Sequence, residues 1–196
     1  KITIEKELQK TQLSWTILRL GAVTPNYVPW SIPPMMFDIP LDQRIEVVHT
    51  LDVGIACANA VTAPVERKIL HIGGGPKCQM LERDFLMKMF DGMGLGMLPE
   101  EAFKIPNSND DWYHLDWMDT KEAEELLQFQ KHTLEDFIIE FKKTIRFQRF
   151  LIKTFKPIVK SIMLSKSPYY ATYKKLKRRR KTHPLASQIN TSKTKT

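Results

Sequence analysis

The sequence predicts an α/β fold with mainly parallel strands, and three observations predict it. Short β-branched or apolar runs alternate with helical patterns through residues 1–95. Glycine or proline closes most of these runs, which separates the elements cleanly. The apolar fraction is 42% over 196 residues, ordinary for a water-soluble core and large enough to build one.

The elements follow in order. Ile2, Ile4 and Leu8 are apolar between charged neighbours, as in the end of a helix over residues 2–9. Residues 13–20 (LSWTILRL) are rich in β-branched and aromatic side chains and end at Gly21, the pattern of a buried strand. Pro25, Pro29, Pro33, Pro34 and Pro40 make residues 21–43 a loop. A second strand covers residues 46–49, and Asp52 is placed to cap a helix over 53–63 that Pro64 stops. A third strand, 68–72, runs into Gly73-Gly74-Gly75-Pro76. A helix over 80–93 ends at Gly94, and an irregular aromatic stretch fills 106–117. Asp119 and Thr120 cap a helix over 121–128. The last helix runs from 133 to about 165 with a kink at Pro157, and residues 171–196 have too few apolar positions to order. The expected organisation is a body over 1–130, a basic amphipathic helix over 133–166 and a disordered basic tail over 171–196, without internal repeats.

The net charge of +8 conceals an asymmetry. Residues 1–140 carry 13 Lys/Arg and 22 Asp/Glu, whereas residues 141–196 carry 17 Lys/Arg and no acid. The basic character therefore belongs to the C-terminal segment, and the body is acidic. Cys57 and Cys78 are too few and too far apart for a disulfide framework or a zinc site, which points to a reducing, cytoplasmic setting. The first dozen residues are charged and lack the apolar stretch of a secretory signal, and no apolar run reaches the roughly 18 residues that a membrane span needs. The chain begins on Lys rather than Met, so a fragment is expected.

The order helix, TILR strand, proline-rich loop, VVHTLDV and KILHIGGG resembles the second half of the NAD-dependent epimerase/dehydratase family, the extended short-chain dehydrogenases. The resemblance covers roughly residues 1–130. It implies the C-terminal part of a doubly wound, Rossmann-like parallel sheet with a small substrate region, from a parent that uses NAD or NADP on a small-molecule substrate. In that family a helix carries a Tyr-x-x-x-Lys pair, often with an acid four residues later. Lys1, followed by Glu5, aligns with the Lys, which places the Tyr upstream of this sequence. The resemblance implies that Lys1 is catalytic and bonds the nicotinamide ribose, and that Gly21, Ala22 and Val23 pass the nicotinamide. The family often has Asn at the position of Ala22, and its Tyr-Gly-Pro is replaced by Thr24-Pro25. Arg19 is expected to anchor the strand end.

Family members that act on nucleotide sugars grip phosphate with an Arg four residues before the His that matches His49. That position is Ile45 here, so Arg44 reaches substrate only if a bulge turns it inward. His49 and Asp52 are expected to serve core hydrogen bonding and capping. Gly73-Gly74-Gly75 lacks both dinucleotide and P-loop spacing and reads as a tight turn. Asp110, Asp111, His114, Asp116 and Asp119, interleaved with Trp112, Tyr113 and Trp117, could line a substrate pocket but match no metal-site spacing. Met80, Met87, Met89, Met93 and Met97 are expected as core filler.

Two readings remain open for the basic helix. Lys142, Arg146, Arg149, Lys153, Lys156 and Lys160 recur at spacings of 4, 3, 4, 3 and 4, within roughly 80° of one helix face. Either the segment 133–181 lies on an anionic membrane surface, or its apolar face packs on the body or a partner with the basic strip solvated. Specific nucleic-acid binding is not expected, because no reader motif accompanies the charge.

Overall fold

The computed structural model describes residues 1–24 and 33–182. Its helices are α1 (Ile2–Gln9), α2 (Thr50–Ala60), α3 (Glu82–Met93), α4 (Lys121–Leu127), α5 (Leu134–Thr144), α6 (Arg146–Thr154), α7 (Lys156–Ser165) and α8 (Pro168–Thr182). Its strands are β1 (Ile17–Leu20), β2 (Ala22–Val23), β3 (Arg44–Val48), β4 (Ile69–Ile72) and β5 (Gln79–Leu81). Pro25 and Pro29 lie outside the described residues.

The expected α/β alternation is present. β1 pairs parallel with β4, Ile17 to Ile69 through Leu20 to Ile72, and β2 pairs parallel with β3. Only Gly21 separates β1 from β2, so one extended stretch changes partner there. The Gly21 N–H donates to the Ile72 carbonyl at 2.9 Å. A side chain at Gly21 would start 3.2 Å from Met118 Sδ and 3.4 Å from the Glu46 carbonyl, so this crossing is tight and Met118 would have to give way by a few tenths of an ångström.

Three local expectations are corrected. β1 is shorter than residues 13–20 and half exposed rather than buried, with Leu20 46% accessible. A parallel strand is covered when it has neighbours on both edges, and among the described residues β1 pairs only with β4. His49, not Asp52, caps α2: its backbone is extended and its ring nitrogen accepts the Leu51 N–H at 3.2 Å. α2 also ends at Ala60, whose carbonyl the ring of Pro64 would strike if the helix continued. Residues 80 and 81, expected to begin a helix, belong with Gln79 to β5, antiparallel to β3, a pairing that depends on a partner more than 30 residues away.

The expected single helix over 133–165 is three helices. The breaks fall at Ile145 and Phe155, not at Pro157, which sits in the first turn of α7 where its missing N–H does no harm. Each break follows a threonine whose hydroxyl bonds back to the carbonyl four residues earlier, Thr144 to Glu140 and Thr154 to Phe150, both at 3.0 Å. Such back-bonding bends helices. The tail is also more ordered than its composition implies, since α8 continues to Thr182. The Ser167 hydroxyl donates to the Ala102 carbonyl at 2.5 Å and accepts the Tyr170 N–H, and the Tyr169 hydroxyl donates to Asp38 at 2.7 Å. These contacts supply the helix nucleus that the cationic sequence alone does not. Residues 183–196 lie outside the described residues.

Two apolar clusters hold the fold. One gathers Leu86, Phe90 and Met93 of α3 with Phe37, Leu98 and Phe103, and with Phe137, Ile138 and Phe141 of α5, so it crosses the boundary expected near residue 130. Met80, Met89 and Met97 pack on it as expected, whereas Met87 is exposed. The other joins Val48, Leu70 and Ile72 to Ala56 of α2 and to Ala123 and Leu127 of α4, with Leu18 of β1 against it.

Glu82, the first residue of α3, is buried, and burial pushes its carboxyl from 4.5 up to about 7. The neutral form is thus preferred on folding. Its contribution to stability is full below pH 4.5, falls as pH rises from there through 7, and is gone above that. The α3 dipole favours the carboxylate and offsets part of this loss. Glu82→Gln is therefore expected to raise stability by about 1–3 kcal/mol at pH 8 and to change little at pH 4, read from urea midpoints at both values.

Candidate active site

The C-terminal ends of β1 and β4 define one edge of the molecule, and α1 is tied to it. Arg19 Nη2 and Nε donate to Glu5 Oε2 at 2.6 and 3.2 Å. The guanidinium holds the Glu5 carboxyl below its ordinary range, chiefly through this hydrogen bond. Arg19 thus anchors the strand end as expected, and the partner it finds is Glu5. Lys1 stands one turn before Glu5 on the same helix face. It heads α1 with an exposed side chain that makes no capping bond.

Gly21, Ala22 and Val23 continue from that edge. The space at Gly21 is taken up by Met118 and two carbonyls, so its smallness serves packing. Ala22 packs on the larger cluster, and Val23 is 40% exposed. Thr24 is buried, and its carbonyl accepts the Thr50 hydroxyl at 2.6 Å.

The glycine-rich turn after β4 already holds an anion, and it is the chain's own. Glu46 of β3 is buried, with Oε1 accepting the Gly75 N–H at 2.9 Å. Its Oε2 accepts from the Gln79 amide and the Met118 N–H, both at 2.8 Å. A side chain at Gly73 would start 2.1 Å from Glu46 Oε1, and Gly75 has φ +73°. The turn reading is supported, because the carboxylate fills the place a phosphate would take. Gln130 closes the turn from the other side, donating to the Gly73 carbonyl at 3.0 Å and to the Thr120 hydroxyl at 2.9 Å. Sequence reading missed Glu46 and Gln130. The available signal was an acid inside the apolar run of β3.

The bulge required for Arg44 is not there. Arg44 pairs with Leu81 and Ile45 with Met80 in unbroken register, and Ile45 faces the core. The Arg44 guanidinium lies 2.6 Å from Asp116 Oδ2 and 5.0 Å from the Trp117 ring centre, on the surface. Asp116, in turn, is held ionised below its ordinary range by that guanidinium. Of the polar cluster, Asp111 ties down Asn107, Ser108 and Lys104, and Asp119 caps Lys121. These bonds give the cluster a structural occupation.

Asp52 is fully buried and serves the segment before α5. It accepts the Lys131 and His132 N–H groups at 3.2 and 3.1 Å and meets His132 Nδ1 at 2.5 Å. His132 stacks on His49 at 4.5 Å, and His49 Nε2 lies 3.3 Å from Glu140. This joins β3 and α2 to α5, a core role of the kind expected for His49 but not for Asp52, whose expected role is the cap of α2. Cys78 is buried, and burial pushes its thiol up to about 11, which removes it as a nucleophile at neutral pH.

No family model and no curated protein matches the chain. Among solved structures it is similar to UDP-glucose 4-epimerase from Thermotoga maritima, with a TM-score of 0.53 and 18% identity over 74% of this chain and 50% of that one. UDP-glucuronic acid 4-epimerase from Bacillus cereus, solved with UDP-glucuronic acid and NAD, gives 0.54 and 15% over 72% and 48%. The Bordetella bronchiseptica enzyme WbmG, solved with NAD, gives 0.54 and 14% over 74% and 48%. The fold is that of the NAD-dependent epimerases and dehydratases. The chain spans about half the length of the structures it matches. Open α/β sheets of this kind bind ligands beyond the carboxyl ends of their strands. Arg19 and Gly21 stand at the carboxyl end of β1, where Glu5 of α1 is bonded to Arg19.

Proposed function

We propose that this chain is the C-terminal, substrate-side part of an NAD(P)-dependent epimerase/dehydratase-type oxidoreductase, inactive alone, whose parent acts at a carbonyl or hydroxyl carbon of a small molecule. The observation that carries the reading is the open edge of β1, a parallel strand that has one neighbour among the described residues, whereas an inner strand of a doubly wound sheet has two. Leu20 of β1 and, in the segment before that strand, Ile2, Ile4 and Leu13 are exposed apolar residues that a further layer of sheet and helix would bury.

The residues present fit the nicotinamide end of an NAD(P) site and not its pyrophosphate end. Lys1 is free to donate to a ribose hydroxyl, and Val23 offers an exposed apolar wall. The glycine turn is closed to phosphate by Glu46. NAD(P), when bound, accepts or returns hydride at the substrate carbon. The part of Lys1 is electrostatic: an ammonium beside a tyrosine hydroxyl favours the phenolate and lowers a pKa that is otherwise near 10, so that the hydroxyl passes a proton at neutral pH. The UDP-sugars bound by the similar structures make a nucleotide sugar one candidate substrate. Arg44 would have to leave Asp116 to hold its phosphate.

The parent reading frame should encode a tyrosine four residues before Lys1 and a glycine-rich strand-turn-helix further upstream. Absence of the tyrosine would favour a non-enzymatic binding protein on the same fold. Residues 1–196 alone should show no NAD(P) heat signal at micromolar concentrations in calorimetry, and micromolar affinity would overturn the assignment of the cofactor site.

A further inference from the structure

Part of the cationic strip of α6 and α7 rests on the segment that follows α3, although Arg146, Lys153 and Lys156 stay exposed. Side chains built at Gly94 and Gly96 would start 2.6 Å from Lys153 Cγ and 3.4 Å from Lys156 Nζ, and Lys160 Nζ donates to the Met97 carbonyl at 2.7 Å. A helix C-terminus carries unsatisfied carbonyls and the negative end of the dipole, so it attracts such cations. Phe147, Phe150, Leu151, Phe155, Ile158 and Ile162, at steps of three or four residues from Leu151 onward, face solvent. Phe147 is 72% accessible, Phe150 66% and Ile158 58%.

We propose that this ridge is a membrane-docking surface that seats on an anionic phospholipid bilayer. A continuous apolar ridge of this extent marks an interaction site. Charge selects its occupant. From residue 141 onward the sequence has no acidic residue. α8 packs against α7 and presents exposed Lys174, Lys175 and Lys177, two of them resting on the rings of Tyr170 and Tyr173. Phosphate headgroups complement that cationic border while acyl chains receive the phenyl and isoleucyl side chains. A second copy meeting the ridge face to face would set one acid-free cationic segment against another. Among the described residues no helix is long and apolar enough to cross a membrane, so the ridge would lie in the interface.

The test is cosedimentation of the full chain with vesicles of phosphatidylcholine alone and of phosphatidylcholine mixed with phosphatidylserine, beside the variant Phe147→Glu/Phe150→Glu/Phe155→Glu. All three positions are exposed, and circular dichroism checks that the fold is kept. The wild type should pellet with the anionic vesicles and much less with the neutral ones. The variant's partition should fall by roughly tenfold for each ring withdrawn from lipid. A second variant, Lys174→Gln/Lys175→Gln/Lys177→Gln, should bind more weakly and lose the salt dependence of the wild type. Equal pelleting of the wild type and the phenylalanine variant would overturn the proposal. So would no vesicle binding by the wild type, whether accompanied by dimerisation through the ridge or by retention on DNA.

Discussion

Glu46→Ala is expected to cost about 2–4 kcal/mol, because it strips one buried and two partly buried donors of their acceptor at once. The Gly75 N–H, the Gln79 amide and the Met118 N–H converge on this carboxylate from three separate segments. Removing it also leaves a void against Gly73, whose missing side chain is what lets the carboxylate in. Glu46→Gln should cost less, about 1–3 kcal/mol, since one oxygen still accepts while the new amide faces a donor. Urea unfolding of the three proteins measures both values. A loss under about 1 kcal/mol for Glu46→Ala would mean that water replaces the carboxylate at the turn. Domains of this size are stable by only about 5–15 kcal/mol, so the alanine variant should also be recovered poorly as a folded protein.

On the proposed role of Lys1, Lys1→Met in the complete parent should lower kcat by about 10²- to 10⁴-fold, the usual worth of a proton-transfer group. Folding should be unaffected, because the Lys1 side chain is exposed and makes no cap bond. The pH profile discriminates between roles. Removing an ammonium next to a phenol raises the phenol's pKa, so the activity of the variant should rise only at more alkaline pH than that of the parent. A lysine that merely decorates the start of α1 would leave the profile where it was. Glu5 and Arg19 tie α1 to β1, and Arg19→Ala should loosen α1 rather than move the pH profile.

Local reading succeeded where a short stretch carries its own physics. Gly94 ends α3 in a left-handed cap, and Thr133 with Asp136 closes a capping box at α5. The strand at 69–72 is apolar and bounded by glycine. It failed where the deciding partner is distant. His49 caps α2 because Asp52 is drawn away to residues 131 and 132. β5 exists because β3 lies beside it, and α8 starts at Pro168 because Ala102 and Asp38 anchor the turn before it and its first residues.

The sequence by itself determined the α/β alternation, the order of motifs that resembles the epimerase/dehydratase family, and the division into an acidic body and a cationic C-terminal segment. Periodicity, turn residues and charge are local quantities, and they are legible without a partner. Only the tertiary structure decided that the glycine turn holds Glu46, that Arg44 faces Asp116, and that α6 and α7 show their phenylalanines to solvent. Each depends on groups brought together across long separations, 29 positions for Glu46 and Gly75 and 72 for Arg44 and Asp116. A helical period fixes which residues share a face, but what each face meets is set by the tertiary fold, here Lys160 on the Met97 carbonyl beyond α3.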